Sequence, residues 1–117
     1  MVKDKVNKIY TDLYYHMKSL YPKLSGGTEY NEKVKLPFMH FFLIDNPTVL
    51  TTLSNTEDGT NLSFQIDVYT KDDNEREMAN DIRAYMISEG FMCRQFMPFQ
   101  QSSDVSRFVT RFRRLDV

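Results

Sequence analysis

Tryptophan is absent from this chain, cysteine occurs once and histidine twice. Each shortage removes a class of chemistry. A lone Cys93 excludes an intrachain disulfide and a cysteine-based metal cluster, fits a reducing cytoplasm, and has as its default role that of a small buried hydrophobe. His16 and His40 have no second histidine or cysteine at a ligand offset and no nucleophile placed with them by a motif. Each therefore reads as a hydrogen-bonded structural residue rather than a metal ligand or catalyst. The one glycine pair, Gly26-Gly27, lacks the GxxxxGK(S/T) spacing of a phosphate loop and does not sit between a strand and a helix, so it reads as a flexible connector. Glu57 and Asp58 lack the alternating oxygen ligands of a calcium loop. No catalytic residues, cofactor, metal or small-molecule substrate are expected, and the chain is not expected to be an enzyme.

Charge of one sign is also missing. Fifteen basic residues face 16 acidic ones for a net charge of −1, which gives no global field for nucleic acid or an anionic membrane surface. No apolar run reaches membrane-spanning length, and the charged start through Lys3, Asp4, Lys5 and Lys8 does not suit a secretory leader. A whole soluble chain is expected. At 117 residues it holds one core, hence a single domain over 1–117. What is plentiful is aromatic: 14% Phe and Tyr, suited to cores or to protein interfaces.

The most regular stretch runs from Asn61 to Phe96. Leu62, Phe64, Ile66 and Val68 alternate with Ser63, Gln65, Asp67 and Tyr69, which predicts a half-buried strand. Asp72 and Glu75 have the spacing of a capping box, with a helix expected to start near Asn74. Met78, Ile82, Tyr85 and Met86 then form one helical stripe, and Gly90 followed by Phe91 predicts a left-handed stop with Phe91 folding back on Met86 or Ile87.

Before this stretch, Val6, Ile9, Tyr10, Leu13, Met17, Leu20 and Tyr21 predict an amphipathic helix ending before Pro22, and the residues from Pro22 to Lys35 read as loop. From Leu36 to Ile44 the chain is apolar on both sides of the pleat apart from His40. One side, either Met39, Phe41 and Leu43 or Phe38, Phe42 and Ile44, needs a second cover: another helix or a neighbouring subunit. Between about 46 and 61, rich in Thr, Ser and Asn, the only apolar residues are Val49, Leu50 and Leu53, expected on a long hairpin-like arm that orders against a partner.

After it, Phe91 to Met97 predicts a strand stopped by Pro98, hairpinned through residues 100–104 to a last strand from Val105. On that last strand Phe108 and Phe112 share one side, while Arg107, Val109, Arg111 and Arg113 share the other. Such an arginine row can pair with carboxylates such as Asp67 on a neighbouring strand, meet acidic residues of another subunit, or track phosphates. The expected fold is α+β: an antiparallel or mixed sheet of about four strands, two helices on one face, in the order α-β-β-α-β-β. Phe64, Ile66, Val68, Met78, Ile82, Met86, Leu13 and Phe108 are the expected core.

The run from Phe64 to Thr70, the helix with Ala79 to Met86, the Gly90-Phe91 turn into Arg94 to Pro98, and the closing Arg107 to Arg113 resemble a family of small siphophage tail-completion proteins, also called tail terminators or head-to-tail joining proteins. The resemblance covers the second half of the chain, and the first helix and strand are compatible with it. It implies a non-enzymatic virion protein of the tail or neck, put together in the host cytoplasm as a homo-oligomeric, commonly hexameric ring. The ring would terminate the tail tube, meet the tail tube protein and the head connector protein, and let DNA through its lumen without specific binding. Met39, Phe41 and Leu43, the arm residues Val49, Leu50 and Leu53, and Arg107, Arg111 and Arg113 are then the expected ring or partner contacts. The alternative is a small intracellular binding module, with nucleic acid held by Arg107, Arg111 and Arg113.

Overall fold

A computed structural model of the protein describes residues 2–44 and 60–116. The expected arm residues Val49, Leu50 and Leu53 lie outside the described residues. A first helix, α1 (Val2–Leu20), is followed by strands β1 (Ser25–Gly27), β2 (Phe38–Leu43) and β3 (Thr60–Thr70), helix α2 (Glu75–Ser88), and strands β4 (Met92–Gln100) and β5 (Ser106–Asp116). The strands make one five-stranded mixed sheet in the order β1-β2-β3-β5-β4, in which only β1 and β2 run parallel. The class is α+β, as expected, with one strand more than expected.

The extra strand comes from residues expected to be connector. Ser25, Gly26 and Gly27 pair with Phe38, Met39 and His40. Glycine suits this position because a Cβ on Gly26 would stand 3.0 Å from the Tyr14 ring, tighter than ordinary contact, so the bare backbone gives the ring of α1 room against the sheet edge.

The rest of the topology follows from α2. It carries the chain from β3 to β4, and since both are antiparallel to β5 they are parallel to each other, with β5 inserted between them. A helical crossover leaves that slot, and the short β4–β5 hairpin fills it. Its turn is closed by the Gln101 and Ser102 amides donating to the Val105 carbonyl at 3.1 Å each. Strand β4 runs through Pro98 to Gln100, beyond the stop expected at Met97; as an edge strand it tolerates a residue with no amide hydrogen.

Both ends of α2 show how local chemistry sets its limits. The expected capping box does not form: Asn74 is the N-cap with no side-chain cap bond. Its Oδ1 instead accepts from the Thr70 hydroxyl at 2.8 Å, while that hydroxyl accepts the Asp72 amide at 3.0 Å, so the end of β3 shapes the turn. The C-terminus is a Schellman motif. Gly90 has φ +90°, its amide donates to the Ile87 carbonyl at 3.0 Å, and the Phe91 amide donates to the Met86 carbonyl at 3.0 Å.

The core lies between the sheet and the two described helices, which share one face of it. Leu62, Phe64, Ile66 and Val68 of β3 meet Phe108 and Phe112 of β5, Met39 and Phe41 of β2, Leu13 and Met17 of α1, and Met78, Ile82 and Met86 of α2. Every residue expected in the core is buried. Tyr21 at the end of α1 donates its hydroxyl to Asp81 Oδ2 on α2 at 2.6 Å, which ties the helices together; burial and that carboxylate push the phenol well above its ordinary range. No described helix is long and apolar enough to cross a membrane.

Candidate functional site

Among the described residues, no helix covers the second face of the sheet. Strand pairing places Phe38, His40 and Phe42 of β2, Ser63, Gln65, Asp67 and Tyr69 of β3, Arg107, Val109, Arg111 and Arg113 of β5, and Met92, Gln95, Met97 and Phe99 of β4 on it together. Part of it is covered from within. The loop after β1 lays Tyr30 flat on Tyr69, with ring centroids 3.7 Å apart and planes 10° apart. His40 donates from Nε2 to the Thr28 carbonyl at 3.1 Å, which holds the start of that loop. The strip over β5 and β4 stays open: Met92, Met97 and Phe99 are 61%, 46% and 52% exposed, and Arg111 and Arg113 are exposed beside them.

This shifts the expected contacts. Met39 and Phe41 belong to the core face, at 0% and 2% exposure, and cannot reach a partner while the helices are docked; Leu43 shares that face but is half exposed. Of the two alternatives left by the two-sided apolar strand, the set facing away from the helices is Phe38 and Phe42. Met92, Met97 and Phe99 were not singled out by sequence, because strand sidedness in β4 is blurred by a register shift between Cys93 and Gln95. That irregularity turns Cys93 and Phe96 toward the helices while Met92, Met97 and Phe99 pair with Arg113, Val109 and Arg107 on the open side.

The arginine row is real and is partly spoken for. Arg107 donates from Nη2 and Nε to Asp67 Oδ2 at 2.6 and 3.1 Å. Gln65 donates from Nε2 to the same carboxylate at 3.2 and 3.3 Å, and accepts on Oε1 from Arg111 Nε at 2.8 Å. The result is a linked line across two strands, Arg111 to Gln65 to Asp67 to Arg107. The Arg107 guanidinium carbon also lies 5.5 Å from the Tyr69 ring centre and 5.2 Å from that of Phe99. Asp67 is wholly buried beneath these groups. Burial lifts its carboxyl above the ordinary value, opposed by hydrogen bonding and charge from Arg107 and by the Gln65 amide.

The residue types on this face form a pattern of their own. It has four aromatic residues, two methionines and three arginines, no lysine or glutamate, and one aspartate that is buried. Protein–protein contact surfaces are enriched in aromatics, Met and Arg and depleted in Lys, Glu and Asp.

Neither His16 nor Cys93 faces this strip. His16 is exposed on α1 and stacks on Tyr85 with centroids 4.6 Å apart, and Cys93 is half-buried with its Sγ 3.5 Å from the Gln95 carbonyl. Among the described residues no group of three His, Cys, Asp or Glu side chains is placed to hold a metal ion.

No family model matches this chain, and no curated protein or solved structure matches it significantly.

Proposed function

We propose that this chain is a structural subunit that acts by protein–protein assembly, and specifically that it is a ring-forming virion protein that terminates a tail tube and joins it to the head connector. The observation that carries the assembly reading is the open strip of the sheet, where Met92, Met97 and Phe99 stand exposed beside Arg111 and Arg113. Exposed apolar side chains of this size, adjacent on one rigid sheet and flanked by guanidiniums, are what an interface core requires before its partner arrives. The tail-completion reading adds the identity of the partners and comes from the sequence resemblance of the second half of the chain.

The edge of β4 is a poor substitute for this face. The register shift between Cys93 and Gln95, the charge of Arg94 and the missing amide hydrogen of Pro98 all discourage strand-to-strand addition there. Assembly therefore uses the face.

The test is to mix purified protein with tail tubes that lack their terminator and image them by negative stain. A ring seated at the tube end is expected. Particles that stay monomeric and leave tube ends bare would overturn the proposal. Titration with DNA at several salt concentrations separates the nucleic-acid alternative, since phosphate binding must weaken steeply with salt.

A further inference from the structure

Sulfur is distributed unevenly over the described residues. Met17, Met39, Met78 and Met86 are all 0% exposed in the core beneath the helices, whereas Met92 and Met97 of β4 stand 61% and 46% exposed on the open strip. The one thiol, Cys93, packs from β4 against that core and does not face the strip. Peroxides oxidise a thioether where they can reach its sulfur, so reactivity follows exposure. The fold therefore opens two methionines to oxidation and shields four, and the open two belong to the face proposed above as the interface.

Each open sulfur already has a hydrogen-bond donor beside it. Gln95 Nε2 donates to Met97 Sδ at 2.9 Å, and Arg94 Nη1 donates to Met92 Sδ at 3.7 Å. A thioether is only a weak acceptor, and it keeps a second lone pair for chemistry. That pair attacks one oxygen of hydrogen peroxide: the S–O bond forms as the O–O bond breaks, and the proton on the transferred oxygen passes to the departing hydroxide. The products are a sulfoxide and water, with sulfur oxidised by two electrons and the peroxide reduced by two. The sulfoxide oxygen is a stronger acceptor than the thioether, so the Gln95 amide and the Arg94 guanidinium are placed to hold it on a free subunit. At a closed interface the same oxygen is stripped of water against apolar side chains, where an added polar group is costly.

Resting on the assembly reading above, we infer that Met92 and Met97 are a paired oxidation site that switches assembly. As thioethers they complete the interface core with Phe99; as sulfoxides they close the strip to a partner. Methionine sulfoxide reductases reset the switch: two reductase thiols become a disulfide and the sulfoxide oxygen leaves as water. The switch acts on free subunits, because an assembled face excludes the oxidant. Assembly and oxidation thus compete for the same two side chains.

The test dilutes the protein to single subunits, treats it with dilute hydrogen peroxide, maps the added oxygen by mass spectrometry of its peptides, and reads the solution mass by light scattering after reconcentration, with a melting curve alongside. Met92 and Met97 are expected to take up one oxygen each about tenfold faster than Met17, Met39, Met78 and Met86, and the oxidised protein to stay folded but lose its oligomer. Both methionine sulfoxide reductases with a dithiol, one enzyme for each sulfoxide epimer, should restore the oligomer. A Met92→Leu, Met97→Leu variant keeps the strip apolar and should assemble before and after the same peroxide. Equal uptake by the buried and the exposed methionines would overturn the site. An oligomer that persists with both sulfoxides mapped would overturn the switch. So would a leucine variant that peroxide disperses as readily as the wild type, since Cys93, still present in it, or another residue would then carry the effect. A reduced wild type that never assembles overturns the assembly reading and the switch with it, while the oxygen map alone still decides the site.

Discussion

Asp67 and Arg107 form the residue-scale feature with the clearest physical consequence. A carboxyl whose folded pKa is raised contributes stability below its unfolded value, here 3.8, and that contribution is lost as pH rises through the folded pKa. Arg107 supplies the largest opposing pull. Arg107→Ala should therefore raise the Asp67 pKa further and cost about 3 kcal/mol at neutral pH, the lower end for breaking a buried pair because Arg107 is itself partly exposed. The urea midpoint of the variant should fall more steeply than that of wild type as pH rises above about 4. Parallel pH profiles would show that Arg107 does not hold the carboxylate. Gly90 allows a second residue-scale test. At φ +90° a Cβ has room, its nearest neighbour being Arg114 Cδ at 3.5 Å, so Gly90→Ala should cost roughly 1–2 kcal/mol through backbone strain alone. A variant as stable as wild type would mean that the Schellman turn relaxes to another conformation.

Among the elements, α2 ranks first because it packs against three strands and against α1. Ile82 is fully buried at the centre of its stripe, and Ile82→Ala should cost about 2–5 kcal/mol in chemical denaturation. An unchanged midpoint would mean that the helix does not pack through that stripe. How far an element could be read from the sequence tracks how local its cause is. The alternation in β3, the stripe of α2 and the Gly90-Phe91 stop depend on neighbours a few residues apart and are all found, but β3 is not the half-buried strand expected, since Gln65, Asp67 and Tyr69 on its other side are buried as well. Strand β1 depends on β2 and on Tyr14 for its pairing and its glycine, so nothing near Ser25 announces it. The capping box at Asp72 fails because Thr70, still in the strand, engages Asn74 and the Asp72 amide first. Strand β4 keeps its place but not its expected end, since its edge position admits Pro98.

For the whole molecule, the decisive asymmetry is a sheet with two helices on one side and an aromatic, methionine- and arginine-bearing strip on the other. Half of that candidate site was legible: the arginine row and its pairing with Asp67 follow from strict alternation in β5 and β3. The other half, Met92, Met97 and Phe99, was hidden by the register shift in β4, and Met39 and Phe41 face the helices because Phe41 sits against Tyr10 of α1 at 5.0 Å. Neither fact is written in any one segment. The measurement that tests assembly through this face most directly is the solution mass, by light scattering, of the wild-type protein beside a Met97→Ser, Phe99→Ser variant. Both changes lie on exposed positions, so the two proteins should melt within a few degrees of each other. The account predicts a closed oligomer for the wild type and a folded monomer for the variant. Equal masses for the two folded proteins would contradict it.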